Sequence, residues 1–204
     1  TYRLGLTGGN TSDTWDSRTH PDAYMINMGH GCVFECLTEV SAEGELVGEL
    51  ATSWEASADA KVWTFDLRKG VKFHNGKTFG ADDVIASMNR HVEEDASSAA
   101  KPIVANVAEM KKLSDHQVQF ILKNGSADFP YLVSDYHICI FPAGQIAEAI
   151  ANGIGTGPYK VCLSSLASVR LPRNSKSIGM PTTVATSLRS RAFISVMPPP
   201  VSTR

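Results

Sequence analysis

The alternation of hydrophobic and polar residues is clearest at residues 61–79, with the sequence KVWTFDLRKGVKFHNGKTF. Trp63, Phe65 and Leu67 fall on one face of an extended chain, because the side chains of a strand point alternately to its two faces. The alternation resumes after Gly70 and ends at an Asn-Gly pair, the dipeptide that most favours a tight turn. The pattern predicts a pair of strands with one buried face.

A helical spacing of hydrophobic residues precedes this segment. Met25, Met28, Cys32 and Cys36 recur every three or four residues. This spacing places them on one face of a helix and predicts a helix over residues 22–38.

A second helix is predicted directly after residue 79. Gly80 stands at its N-cap, and Asp82 and Asp83 lie in its first turn, where the helix dipole favours negative charge. The predicted buried stripe of this helix consists of Val84, Met88 and Val92.

The remaining elements are short and are predicted from local patterns. They are a strand at 1–6, a turn around Gly44, a connection at 51–54, a hairpin-like pair at 106–113 and 116–122, a buried strand at 138–141, a helix at 145–152 ended by Gly153, and a strand within 155–161. Together the elements predict a mixed α/β fold with mostly local hairpins.

Charge is distributed unevenly along the 204 residues. All 21 Asp and Glu lie at or before Glu148, whereas six of the 19 Lys and Arg lie from Cys162 onward. Residues 1–161 therefore have a net charge of −8, and residues 162–204 have a net charge of +6.

The acidic body argues against nucleic-acid binding, and no apolar run approaches the roughly 20 residues that span a bilayer. No signal peptide opens the sequence, which fits a cytoplasmic protein or the mature form of an exported one.

Catalytic and metal-binding patterns are weak. Cys32 and Cys36 with His30 nearby suggest a metal site, but no second Cys/His pair follows at zinc spacing, so packed thiols and no metal or cofactor are expected. The six histidines are scattered singly, and no nucleophile-elbow pattern surrounds a serine. The Gly-Thr-Gly-Pro run at residues 155–158 is not a phosphate loop, because no Gly-Lys-Ser/Thr follows.

Residues 50–91 resemble the signature region of the solute-binding proteins of peptide and nickel ABC importers, extracellular family 5. The matching positions are Leu50, Ala51, Ser53, Trp54, Trp63, Phe65, Leu67, Arg68, Gly70, Val71, Phe73, Gly76, Ala81, Asp83 and Val84. The segments FECLTEVSAEGELV and GTGPYK resemble two further landmarks of the family. One departure is Gly80, where the family usually has Thr as the helix cap.

The resemblance implies a fold and a domain organisation. The fold would be α/β and periplasmic-binding-protein-like (type II, cluster C-like), a first lobe with an inserted hairpin-rich subdomain and without the second lobe. Residues 1–42 and 154–161 would belong to the first lobe, and residues 43–153 to the inserted subdomain. The complete two-lobed protein would close around its ligand.

The resemblance also implies a function and a set of ligand contacts. The chain would be part of a substrate-binding component that takes a peptide or similar small solute outside the cytoplasmic membrane and delivers it to the transmembrane subunits of an ABC permease. It would not itself span the membrane or bind nucleic acid, and it would not be an enzyme. The positions that correspond to first-lobe ligand contacts are Asn10, Thr11, Asn27, Ser97 and Tyr136.

Two other functions remain open. One is a structural or docking module of the same fold that does not transport. The other is a hydrolase with Cys32 or His137 as nucleophile or base, which would need a thiol with a lowered pKa and a neighbouring base.

The segment from Cys162 departs from the family pattern. The family follows GTGPYK with a Phe-x-Pro-Gly stretch and a charged, aromatic run, and neither is present in residues 162–204. Residues 164–169 and 175–190 can be encoded by codons that give a family-like sequence when the reading frame is moved one base earlier. The first segment then reads as a Phe-Glu-Pro-Gly stretch, and the second as an acidic, aromatic run. We therefore predict that this tail is translated out of frame and has no function. The alternative is a genuine basic, Ser/Pro-rich disordered tail.

Overall fold

The computed structural model describes residues 8–9, 12–161 and 194–196. Within these residues the helices are α1 (Ala23–Gly29), α2 (Ala81–Asn89), α3 (Lys101–Ala105), α4 (Phe129–Leu132) and α5 (Ile146–Asn152), with a 3₁₀ turn at Ser17–Thr19. The strands are β1 (Thr38–Val40), β2 (Leu46–Gly48), β3 (Ala51–Ala56), β4 (Val62–Leu67), β5 (Val107–Ser114), β6 (Gln117–Leu122), β7 (Tyr159–Val161) and β8 (Ile194–Val196). No helix in this part of the chain has the length and apolar character needed to cross a bilayer.

A four-stranded antiparallel sheet in the order β3-β4-β6-β5 forms the centre of the larger core. Trp63, Phe65 and Leu67 are buried on one face of β4, which confirms the predicted alternation. The Phe65 ring meets the Phe120 ring edge-on at 5.6 Å between centroids, and Phe129 of α4 covers Phe120 at 5.3 Å. Aromatic pairs in this geometry add to the stabilisation from buried area.

The pairing of β4 differs from the sequence prediction. The segment predicted as a connection is β3, and it pairs antiparallel with β4. The expected partner strand after Gly70 forms only a single bridge, between Lys72 and Thr78, around the Asn-Gly turn. Trp54 on β3 is opposite Phe65 on β4, so an aromatic cross-strand pair fixes the observed pairing.

Helix α1 is much shorter than the predicted helix over residues 22–38. The Asp22 side chain accepts a hydrogen bond from the backbone N–H of Met25 at 3.0 Å and caps its start. The helix ends at Gly29, and Gly31 has a φ of +78°, a left-handed conformation that helical residues do not adopt. Cys32 and Cys36 therefore lie outside the helix, and the prediction of a shared helical face is wrong.

Helix α2 begins at the predicted N-cap, Gly80, with Asp82 and Asp83 in its first turn. Val84 and Met88 are buried as predicted, but Val92 lies beyond the end of the helix and is 40% exposed. The predicted stripe is therefore confirmed for its first two positions and wrong for the third.

A second core joins the N-terminal region to later segments. Its buried members are Trp15, Tyr24, Met25, Met28, Val33, Phe34, Cys36, Cys139, Phe141 and Ala149. Residues 138–141 are buried as predicted, although the Ile140 N–H donates to the carbonyl of Glu35 at 2.9 Å rather than joining a sheet. Helix α5 ends at Gly153, which has a φ of +63°, as the sequence predicts.

The remaining predicted elements lie partly inside and partly outside the residues that the structure describes. Gly44 turns the chain between β1 and β2, and the predicted pair at 106–113 and 116–122 is the β5–β6 hairpin. The predicted strand at residues 1–6 lies outside the described residues, as does the tail except for β8, whose backbone pairs antiparallel with β7. The division at residues 42, 153 and 161 stays a prediction.

Candidate functional site

Two of the five predicted ligand contacts, Asn10 and Thr11, lie outside the described residues. Asn27 is exposed on α1, and its side-chain amide donates to the carbonyl of Ala23 at 2.6 Å. This hydrogen bond orients the amide along the helix, and the exposed carbonyl group of the side chain can still accept from a ligand.

The other two predicted contacts lie on separate loops. Ser97 is exposed between α2 and α3. Tyr136 is half-buried after α4, with its ring centroid 4.0 Å from the ring centroid of His137. In the described part of the chain, no hydrogen bond or ring contact joins Asn27, Ser97 and Tyr136 to one another, so a shared site depends on how their segments are anchored.

The segment of Tyr136 is anchored to the 3₁₀ turn. The buried hydroxyl of Ser17 donates to the carbonyl of His137 at 2.7 Å. The backbone N–H of His137 donates to Asp135 Oδ1 at 2.9 Å, and the Cys139 thiol donates to the carbonyl of Tyr136 at 3.2 Å. These bonds fix the backbone from the Tyr136 carbonyl to His137, and the Tyr136 ring lies against the His137 ring.

Asp16, Arg18 and Arg90 form an ion-pair network at the same turn. Asp16 binds Arg18 with an N–O distance of 2.8 Å and Arg90 with one of 2.9 Å. The Arg90 guanidinium lies 4.6 Å from the centroid of the Phe141 ring. Burial would raise the pKa of Asp16, but the hydrogen bond from Arg18 and the charge of Arg90 outweigh it and hold this pKa below its usual value.

The loop that contains Ser97 is tied to this network. The N–H of Ala99 donates to the carbonyl of Arg18 at 3.2 Å. His91 Nδ1 lies 2.6 Å from the hydroxyl of Ser98. Burial and the charge of nearby arginines lower the pKa of His91 to about 4, so this imidazole is neutral at pH 7.

The 3₁₀ turn at Ser17–Thr19 is thus the common support for the loops of Ser97 and Tyr136. Sequence reasoning missed the three charged residues that build this support, Asp16, Arg18 and Arg90. The contact between Asp16 and Arg90 joins residues 74 positions apart, and no local pattern predicts such a pairing.

The three described contacts offer an amide, a hydroxyl and a phenol that are exposed or half-exposed. The half-buried Asp16 carboxylate pairs with both Arg18 and Arg90, and Arg18 also approaches the exposed Glu93 at 3.7 Å. Burial raises the pKa of the Cys32 thiol, which is the opposite of the activation that a nucleophilic cysteine needs. Hydrogen bonding and stacking are the chemistry that this arrangement supports.

A second group of functional side chains adjoins the segment of Tyr136, because the Cys36 thiol donates to the carbonyl of Asp135 at 3.5 Å. His30, Cys36 and Glu49 each place a potential metal-ligating atom within 4.8 Å of the others. Sequence reasoning grouped His30 with Cys32 and Cys36 and missed Glu49. In the structure Glu49, rather than Cys32, lies beside His30 and Cys36.

Comparison with known structures defines the class of the fold. The periplasmic binding protein AgaA from A. tumefaciens R10, solved in complex with agropinic acid, is 27% identical with a TM-score of 0.69. The match covers 74% of this chain and 31% of AgaA. The fold is therefore mixed α/β and matches part of the cluster C periplasmic binding proteins.

Comparison of the sequence then defines the family. The model described as "Bacterial extracellular solute-binding proteins, family 5 Middle" matches residues 45–175, a span that extends past Cys162. The chain belongs to family 5 of the bacterial extracellular solute-binding proteins, as the signature residues indicated. This is a family of non-enzymatic binding proteins of transporters.

Two curated relatives illustrate what the family binds. Di/tripeptide-binding protein 2 of Pseudomonas aeruginosa is 34% identical over 172 residues, which cover 71% of this chain and 32% of the relative. The nickel-binding periplasmic protein of Escherichia coli is 33% identical over 150 residues, which cover 69% of this chain and 28% of the relative. The chain thus spans about a third of the length of the relatives that it matches.

Proposed function

We propose that this chain is the first-lobe part of the substrate-binding component of an ABC importer. It acts outside the cytoplasmic membrane, contributes one wall of a solute site, and delivers the solute to the transmembrane permease subunits. The observation that supports this function most strongly is the 34% identity to a di/tripeptide-binding protein over 71% of the chain. The sheet β3-β4-β6-β5 lies within the proposed inserted subdomain, and none of the predicted contacts lies on its strands, whereas Ser97 and Tyr136 lie on loops of the same residue range.

The proposed solute contacts are Asn10, Thr11, Asn27, Ser97 and Tyr136. Uncharged hydrogen-bonding groups suit the main chain of a peptide, and an aromatic ring gives contact area without requiring one particular side chain. The hydrogen bond from Ser17 to the carbonyl of His137 supports this role, because it fixes the backbone next to Tyr136 and less of that loop has to be ordered when a ligand binds.

The proposed solute is peptide-like. Among the other relatives, one is a nickel-binding periplasmic protein and one was solved in complex with agropinic acid. A peptide is favoured for this chain because a di/tripeptide-binding protein is 34% identical over 71% of its length, and because Asn27, Ser97 and Tyr136 offer uncharged hydrogen-bonding groups.

Two measurements test the proposal on a form extended by the second lobe. Native mass spectrometry should find small peptides bound to the purified protein, and Tyr136→Ala and Asn27→Ala should each weaken their binding by about tenfold. Glu55→Ala, an exposed position on β3 in the inserted subdomain, is the matched control and should leave the affinity unchanged. Unchanged affinity in both site variants would contradict the assignment of the site, and a solute without amide groups would contradict the solute class.

A further inference from the structure

Three side chains with metal-ligating chemistry meet at the edge of the second core. His30 is the C-cap residue of α1, Cys36 precedes β1, and Glu49 lies between β2 and β3. Their ligand atoms, a ring nitrogen, a thiol sulfur and a carboxylate oxygen, all lie within 4.8 Å of one another. Three separate segments of the chain therefore converge on one point.

Backbone hydrogen bonds fix the relative position of these segments. The N–H of His30 donates to the carbonyl of Ile26 at 3.0 Å. The N–H of Leu50 donates to the carbonyl of Cys36 at 3.0 Å, which places Glu49 beside Cys36. The Glu49 carboxylate also accepts from the N–H of Cys36 at 2.6 Å through Oε2. The group is preorganised by bonds that do not involve its sulfur or its imidazole.

The spacing of the ligand atoms fits a tetrahedral ion. Zinc binds sulfur at about 2.3 Å and nitrogen or oxygen at about 2.0–2.2 Å, so its ligand atoms lie about 3.3–3.8 Å from one another. His30 Nε2 already lies 3.2 Å from Glu49 Oε2. To bind an ion, the remaining ligand atoms must move closer together by about 1 Å or less, which rotation of their side chains allows.

The surroundings of the group favour a cation. Cys36 is fully buried, and the side chains of Glu49 and His30 are 8% and 20% exposed, so the imidazole edge gives access from solvent. The Cys36 thiol donates to the carbonyl of Asp135 at 3.5 Å, and this weak hydrogen bond is given up when the sulfur ligates an ion. A carboxylate has two oxygens, so Glu49 can ligate an ion and keep its hydrogen bond to the backbone of Cys36.

We propose that His30 Nε2, the Cys36 thiolate and the Glu49 carboxylate bind one divalent cation of the zinc class, with water as the fourth ligand. A thiolate, an imidazole and a carboxylate together match the ligand preferences of Zn²⁺. On binding, the Cys36 S–H proton passes to solvent, and the ion accepts the sulfur lone pair. The sulfur is fully buried in the second core, so the ion is held within this chain itself.

Cobalt(II) is the probe for this site, since its thiolate complexes absorb light in a way that Zn²⁺ does not. The 204-residue chain is prepared free of metal in a Cys162→Ser background, which removes the cysteine outside the described residues. Titration with Co²⁺ should give a thiolate-to-cobalt charge-transfer band that saturates at one ion per chain, and Zn²⁺ should abolish it. His30→Gln, Cys36→Ser and Glu49→Gln should each weaken Co²⁺ binding on the order of tenfold or more.

Matched controls use the other two described cysteines. Cys139→Ser changes the buried thiol next to Cys36, and Cys32→Ser changes the half-buried thiol beyond α1, and both should keep the charge-transfer band. Circular dichroism establishes whether each variant is folded. If Cys36→Ser unfolds, the Co²⁺ affinity of His30→Gln, which changes a more exposed side chain, decides the result. Absence of a saturable band in the folded protein would overturn the proposal, as would an unchanged Co²⁺ affinity in His30→Gln or a band that is lost only in a control variant.

Discussion

At the start of α2, two neighbouring aspartates occupy very different environments. The buried carboxylate of Asp83 accepts from the N–H of Gly80 at 2.9 Å and from the N–H of Ala143 at 2.7 Å, and it pairs with Lys77. The side chain of Asp82 is 67% exposed. Sequence alone assigns both residues to the favourable first turn of the helix, whereas the structure makes Asp83 a link between the helix and a distant loop.

Asp83→Ala should therefore lower the free energy of unfolding by about 2–3 kcal/mol, the range expected when buried N–H donors lose their acceptor. Asp82→Ala is the control and should change it by less than about 1 kcal/mol, as for an exposed ion pair. Urea denaturation of both variants makes the comparison. Equal losses would show that Asp83 acts only through the helix dipole.

The buried imidazole of His91 makes stability depend on pH. Burial lowers its pKa from 6.5 to about 4, and Arg90, Arg18 and His137 oppose its protonation while Asp16 favours it. Because the folded pKa lies below the unfolded value, the unfolded chain binds the proton more readily. The contribution of His91 to stability is complete above pH 6.5 and is lost as the pH falls toward 4.

Between pH 7 and pH 5, His91→Gln should therefore lose about 2 kcal/mol less stability than the unsubstituted chain. Glutamine retains a hydrogen-bonding group for Ser98 and does not titrate. Denaturation at the two pH values gives the difference directly. An unchanged pH dependence in His91→Gln would mean that His91 is already exposed to solvent in the folded state.

Among the elements, those that depend on local chemistry were predictable from the sequence and those that depend on distant contacts were not. The alternation of β4 and the N-cap at Gly80 are local, and both are confirmed. The end of α1 coincides with two glycines: Gly31 has a φ of +78°, and a Cβ on Gly29 would lie 2.5 Å from the His20 ring, a contact that no local pattern reveals. The support of the candidate site likewise depends on Asp16 and Arg90, which meet only in the folded chain.

The GTGPYK segment shows why a glycine motif can be structural. A Cβ on Gly155 would lie 2.0 Å from the carbonyl oxygen of Val33, and the N–H of Gly157 donates to that oxygen at 2.9 Å. The motif therefore packs directly on the backbone that leads to Cys36. The sequence predicts only a turn before a strand, because the partner backbone lies more than a hundred residues earlier.

Gly155→Ala should lower the free energy of unfolding by about 3 kcal/mol, because backbone rather than a flexible side chain fills the space. Gly44→Ala is the control for the loss of a glycine, because Gly44 has a φ of +82° and open space around it. This substitution should lower the free energy of unfolding by about 1 kcal/mol. Thermal or urea denaturation gives both values. A cost at Gly155 no greater than at Gly44 would contradict the close backbone contact.

At the scale of the whole molecule, the chain is one part of a larger architecture. It belongs to family 5 but spans about a third of the length of the relatives that it matches. The described residues form two cores, one around the central sheet and one that joins α1 to later segments. In the account proposed above, they form one wall of a solute site whose other wall lies in a second lobe.

The tail at residues 162–204 is proposed to be an out-of-frame translation. The nucleotide sequence should show that a one-base shift near the codon of Cys162 restores a family-like, acidic and aromatic reading. Deleting residues 162–204 should also leave the urea midpoint unchanged, although β8 pairs with β7 in the described structure. An intact frame, or a large loss of stability on deletion, would favour the alternative of a genuine basic tail.

The role of this chain as one wall of a two-lobed solute site is tested by comparing solute binding with and without the second lobe. A ligand held between two lobes has roughly 70–90% of its surface buried, and a single lobe provides only part of that contact. Calorimetric titration with Ala-Ala and Ala-Ala-Ala, and with any peptide that copurifies, should show tight binding to the extended form and binding at least about a hundredfold weaker to this chain alone. Submicromolar binding of a peptide by this chain alone, or no peptide binding by the extended form, would contradict the account.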